Sequence, residues 1–220
     1  MGGDVMGNTA VEIIFATLLA VNFCFAGASR IFHCIRLAAL QGMLLSIMGY
    51  LLSHGGAEIA AISVTNFVVK GFLLPLMLKK AVISSGAQRE LEPLAGYSVS
   101  LIAVAAVTAI AFAVCQKSAM LTALAMITMF TGLFLIIFRR KAITQVIGFL
   151  VFENGIAIFS SGMSVHYGPV VELGILLDVF VLVFIMGIAA FQINREFEHI
   201  DTDRLHELVE PESKFEEVKK

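Results

Sequence analysis

Between Arg139 and Gly162 three positive charges (Arg139, Arg140, Lys141) lead into an apolar run of about twenty residues with a carboxylate at its centre, in Phe152-Glu153-Asn154-Gly155. About twenty apolar residues make a helix that crosses the roughly 30 Å hydrocarbon core of a bilayer. A charge in the middle of such a helix is costly, and by default it marks an ion or proton pathway. The alternative is a helix buried in a large soluble protein with a hydrogen-bonded Glu. Composition argues against it: 59% of the 220 residues are apolar and 15% charged, against about 45–50% and 25% in soluble domains.

The formal net charge of −2 hides an uneven distribution: residues 1–192 hold ten Lys/Arg and eight Asp/Glu, residues 193–220 five and nine. A membrane body therefore ends in a short acidic tail. No basic patch suits nucleic acid. Trp is absent and Tyr scarce, so 18 Phe carry nearly all the aromatic bulk. Three isolated cysteines (Cys24, Cys34, Cys115) lack any C-x-x-C spacing and read as small apolar fillers.

Taken in order, the chain reads as an all-α, polytopic membrane protein of about seven transmembrane helices. Residues 1–10 contain no Lys or Arg, so Val11–Ser29 lacks the basic start of a cleaved signal peptide and is expected to stay as the first span. Leu37–Ser53, Ala57–Leu78, Tyr97–Val114, Met120–Phe138, Ala142–Ser161 and Val170–Gln192 follow. Lys79–Pro93 is the longest polar connection, and His33 and Cys34 fall in the first loop with no assigned role. Lys and Arg alternate from loop to loop, and the tail carries five. The positive-inside rule then puts the N-terminus outside and the C-terminus in the cytoplasm.

Depth follows at about 1.5 Å per helical residue. Glu153 lies eleven residues, roughly 17 Å, from the inner end of its helix. Lys70 lies thirteen residues, roughly 20 Å, from the outer end of its own, and Asp178 eight residues, roughly 12 Å. All three share a central slab and are the candidate proton relay. Glu58 and Glu172, near the outer ends, are candidates for access from that side. For Lys70 two readings stand: a structural ion pair with a carboxylate on another helix, or a charge relay beside Pro75, whose missing N–H frees the Gly71 carbonyl. Glu153 and Asp178 are either the other half of that pair or proton acceptors. Asn22, Asn66 and Asn154 read as interhelical hydrogen-bond glue.

A faint repeat relates the first three spans to the last three, with Arg36…Gln41 echoed by Arg140…Gln145. Both triplets have the same orientation, so the repeat would be parallel; convergence of short apolar patterns is its rival. Clustered Cys or His for a metal centre, a phosphate-binding Gly-rich loop and a nucleophile elbow are all missing from the sequence. No cofactor is expected in this chain.

The whole chain resembles component E of hydrogenase-4, the membrane subunit of formate-hydrogenlyase-type, proton-pumping group 4 [NiFe] hydrogenases. The resemblance rests on Phe67-Val68-Val69-Lys70-Gly71-Phe72-Leu73-Leu74-Pro75-Leu76, on Gln145–Phe149 through Glu153-Asn154-Gly155, on Val171–Ile175 through Asp178, and on Ile200-Asp201 with Leu205. Residues 119–201 are also similar to the three-helix K subunit of complex I and the C subunit of multi-subunit Na⁺/H⁺ antiporters. In those relatives two mid-membrane Glu residues belong to a proton path. Glu153 matches the first; Asp178 falls at a short register offset from the second and is Asp. Lys70 has no counterpart there.

The resemblance implies four parts: residues 1–80, a first three-helix half; 81–118, a connecting loop and fourth helix; 119–194, a K-subunit-like three-helix half; and 195–220, a cytoplasmic tail. It implies a bacterial or archaeal cytoplasmic membrane as the location. It implies as partners antiporter-like large membrane subunits, a quinone-module-like anchoring subunit and peripheral hydrogenase subunits, the last holding the [NiFe] and iron–sulfur centres. The expected function is a non-redox subunit of a proton-translocating hydrogenase. A Na⁺/H⁺ antiporter subunit and a passive membrane scaffold are the alternatives.

Overall fold

The computed structural model describes residues 2–52, 57–84, 96–115, 120–139 and 141–162, together with Gly174, Phe184, Ile185 and Gly187. Among them every regular element is helical. Helices α1 (Gly2–Gly27) and α2 (Ile31–Leu52) are followed by α3 (Ala57–Val68), which runs through a π-helical turn (Val69–Leu73) into α4 (Leu74–Ser84). Then come α5 (Tyr97–Val114), α6 (Met120–Phe138) and α7 (Ala142–Gly162). Among the described residues five segments are long and apolar enough to cross a bilayer: Thr9–Gly27, Ile31–Leu52, Ala60–Ile83, Met120–Phe138 and Ile143–Ser161. Ser98–Val114 adds a shorter apolar helix. Of the expected seventh span only Gly174, Phe184, Ile185 and Gly187 are described, all four helical; Asp178, Glu172 and the acidic tail lie outside the described residues.

Two expected boundaries move. Helix α2 begins six residues before Leu37, because the Arg30 carbonyl accepts from the backbone N–H groups of His33 (3.0 Å) and Cys34 (3.2 Å). Ile31, Cys34, Ile35 and Ala38 are buried at i, i+3, i+4 and i+7, the spacing of one apolar helix face. His33 and Arg36 are exposed on the other face, so neither opposes the helix. His33 and Cys34 therefore belong to a helix and not to a loop. Likewise the third span does not stop at Leu78: Leu74, Leu78, Ala81 and Val82 bury one face of α4 while Lys79 and Lys80 stay exposed on the other.

Helices α1, α2, α7 and α6 pack in a closed ring, each against the next, with α3 and α4 against α2 and α5 against α1 and α6. The α6–α7 seam is the closest. A Cβ on Gly132 would meet the Phe152 backbone and stand 2.6 Å from the Gly148 carbonyl oxygen. One on Gly155 would stand 2.7 Å from the Met129 backbone nitrogen. Small residues let two backbones approach this closely.

Inside the ring the apolar core is split. One cluster gathers Phe25, Cys34, Leu78, Leu135 and Ile147, a second Leu18, Met48, Leu124 and Ile158. On each of the four helices at least one buried polar side chain falls between the two clusters: Asn22 on α1, Gln41 on α2, Thr128 on α6, and Glu153 and Asn154 on α7. All five are at most 3% exposed.

Candidate functional site

Lys70 reaches that polar level from outside the ring. It sits in the π-helical turn, where the Leu74 N–H bonds to the Val69 carbonyl, five residues back. Pro75 has no N–H to offer Gly71, and the wider turn carries the helix across this break. The opening expected beside Pro75 thus takes the form of a π-bulge, with Lys70 as its second residue.

The Lys70 ammonium meets the Glu153 carboxylate, with Nζ to Oε1 at 2.7 Å. The same Nζ donates to Asn154 Oδ1 at 3.2 Å, and Asn154 Nδ2 donates to Gln41 Oε1 at 3.4 Å. The two charged side chains are 10% and 4% exposed. Neighbouring residues on α7 thus bind one ammonium, and α2 supports the second of them. At this burial an attraction between opposite charges is offset by the desolvation of both, so removing one partner is far more damaging than removing both. Chemically, an amine and a carboxyl in direct contact can share a proton and pass between a charged and a neutral pair.

The depth reasoning that placed Lys70 and Glu153 in one slab matches their contact. Glu58 lies in the first turn of α3, with its side chain outside the described part. Asp178 and Glu172 are not described, but Gly174, four residues before Asp178, is helical and faces the pair: a Cβ there would stand 3.9 Å from Glu153 Oε1.

Asn22 is interhelical glue, as expected, donating through Nδ2 to Thr128 Oγ1 at 3.0 Å and to the Leu18 carbonyl at 3.0 Å. Asn154 does more, because it orients the ammonium. Thr128 escaped the sequence reading, as did the buried places of Gln41 and Arg139, which it named only in the repeat and among the loop charges. A polar residue near the middle of an apolar run is the signal that finds Gln41. Arg139 read as a loop charge beside Arg140 and Lys141, yet it is 2% exposed and its Nη2 donates to the Ala28 carbonyl at 3.3 Å. A guanidinium there satisfies a carbonyl just past the end of α1. The repeat also weakens, since Gln41 is buried mid-helix while Gln145, near the start of α7, is exposed and donates to the Arg139 carbonyl at 3.2 Å.

Fold and site together define a helical bundle suited to a multi-pass membrane protein, with an ion pair buried at mid-helix. The chain belongs to the same family as the uncharacterized protein Rv0085 of Mycobacterium tuberculosis (strain ATCC 25618 / H37Rv). It is 31% identical to that protein over 187 residues, which cover 79% of this chain and 84% of the relative. No family model and no solved structure matches the sequence.

Proposed function

We propose that this chain is a non-redox membrane subunit of a complex I-like, proton-translocating hydrogenase of the hydrogenase-4 or formate-hydrogenlyase type, and that Lys70 and Glu153 lie on its proton path. The observation that carries the reading is the Lys70–Glu153 contact, an ion pair between two apolar helices whose side chains are 10% and 4% exposed. The resemblance around Lys70 and Glu153 supplies the kind of complex. In it, antiporter-like and quinone-module-like membrane subunits surround this chain, and peripheral subunits hold the nickel–iron and iron–sulfur centres. Asp178 continues the path, Glu58 and Glu172 give access from the outside, and seven spans leave the C-terminus in the cytoplasm of a bacterial or archaeal cell.

Purification of the tagged chain from native membranes tests the partner set. Hydrogenase large and small subunits are the expected companions; antiporter subunits without them would move the chain to the Na⁺/H⁺ antiporter reading. Reporter fusions at residues 165 and 220 test the topology, with opposite sides expected and the same side contradicting it. The scaffold reading keeps one observation in its favour, the hydrogen bonds that Asn154 accepts from Lys70 and donates to Gln41, which also fix helix register.

A further inference from the structure

The orientations of the buried amides at the polar level are set by their neighbours. An ammonium only donates, so Asn154 turns its oxygen to Lys70 and its NH₂ to Gln41. Gln41 must then present its own oxygen to Asn154, which leaves its Nε2 facing elsewhere. On α1, Asn22 has to turn its NH₂ to the Leu18 carbonyl, which only accepts, and this leaves its Oδ1 facing elsewhere. Neither Gln41 Nε2 nor Asn22 Oδ1 has a hydrogen-bond partner among the described residues, and both side chains are 0% exposed. One is a donor and the other an acceptor.

The packing brings them to one level. Gly155 abuts Met129 and Ala125 across the α6–α7 seam, so their chain neighbours Asn154 and Thr128 lie at about the same level along it. Gln41 is bonded to Asn154 and Asn22 to Thr128. Helices α1 and α2, which carry the two amides, pack against each other. A buried polar group without a partner is disfavoured, because it has given up its hydrogen bonds to water for nothing. A water molecule accepts from one such group and donates to the other, and buried waters typically sit where several protein polar groups converge.

We infer that the α1–α2–α6–α7 ring holds a buried water site anchored by Gln41 Nε2 and Asn22 Oδ1. With that water in place every hydrogen bond points one way. Lys70 donates to Asn154, Asn154 to Gln41, Gln41 to the water, the water to Asn22, Asn22 to Thr128, and Thr128 to the Leu124 carbonyl at 2.8 Å. Gln41 and Asn22 are thereby positioning residues: through Asn154 they hold the Lys70 ammonium against Glu153. That role rests on the proton-path reading, whereas the water site rests on the geometry alone.

Infrared difference spectra of the full chain in its native complex, recorded in H₂¹⁶O and H₂¹⁸O, test the site. The wild-type protein is expected to show an isotope-shifted O–H band of a buried water. Gln41→Met and Asn22→Leu should each abolish it, since each removes one of its two anchors. Gln41→Met/Asn22→Leu should lose less thermal stability than the two single shifts added together, because both orphaned groups leave at once. No wild-type band, or a band that survives Gln41→Met, overturns the inference. If the variants fail to accumulate, a density map of the wild-type complex decides: a water within hydrogen-bond distance of both atoms supports the site, and a direct Gln41–Asn22 bond or a dry gap overturns it. Proton movement is measured on the same samples, so loss of the proton-path reading leaves the band in place and the two failures are told apart.

Discussion

Gly42 of α2 lies against the stem of Lys70: a Cβ at position 42 would stand 2.6 Å from Lys70 Cβ and 3.5 Å from its carbonyl carbon. The absence of a side chain there lets the π-helical turn close on α2 and aims the ammonium past it at Glu153. The contacting atom is the root of the side chain, so it can move only if the turn moves. Gly42→Ala should therefore destabilise the protein by about 1–3 kcal/mol, as overpacking of a close contact does. Thermal unfolding of the purified chain measures this, and proton movement should fall with it.

The α6–α7 seam behaves in the same way without touching the ion pair. Gly148→Val should be strongly destabilising, because a Cβ there already meets the Gly132 carbonyl oxygen and the Ile136 nitrogen at 2.9 Å. At Gly49, within α2, a Cβ meets nothing within 4 Å. Gly49→Ala should be neutral or stabilising by roughly 0.5–1 kcal/mol, the intrinsic gain of Ala over Gly in a helix. Melting temperatures of the two variants check the contrast.

How far this architecture was legible from sequence depends on what each residue reports. The ends of α5 and α6 follow from apolar runs that stop at polar residues, and they fell where expected. The start of α2 was hidden, because Arg36 and His33 look like loop residues until Cys34 and Ile35 are seen to be buried behind them. Lys70 and Glu153 could be put at similar depths by counting residues. Which helices touch was not encoded in any single span, so the choice between Glu153 and another carboxylate needed the packing of α4 and α2 on α7. The burial of Arg139 had no local signal at all, since its partner, the Ala28 carbonyl, is 111 residues away.

Arg139 offers its own test. Its Nη2 donates to the Ala28 carbonyl from a site that is 2% exposed, and a Lys there supplies a compact point charge in place of a planar guanidinium. Arg139→Lys should lower the melting temperature by several degrees while leaving proton movement per hydrogen unchanged in the complex that survives. An unaltered melting temperature would show that the guanidinium geometry is immaterial.

The proposed relay is tested most directly at Glu153, by recording acidification and hydrogen evolution together in vesicles carrying the assembled complex. Glu153→Gln keeps the volume and most of the hydrogen bonds but removes the titration and leaves the Lys70 ammonium without its anion. The expected result is loss of proton movement, with hydrogen evolution slowed or uncoupled, and partial recovery in Glu153→Asp. For a passive scaffold, Gln serves as well as Glu, because it carries no desolvation cost of a charge. Wild-type proton movement per hydrogen in the Glu153→Gln complex would contradict the proposal.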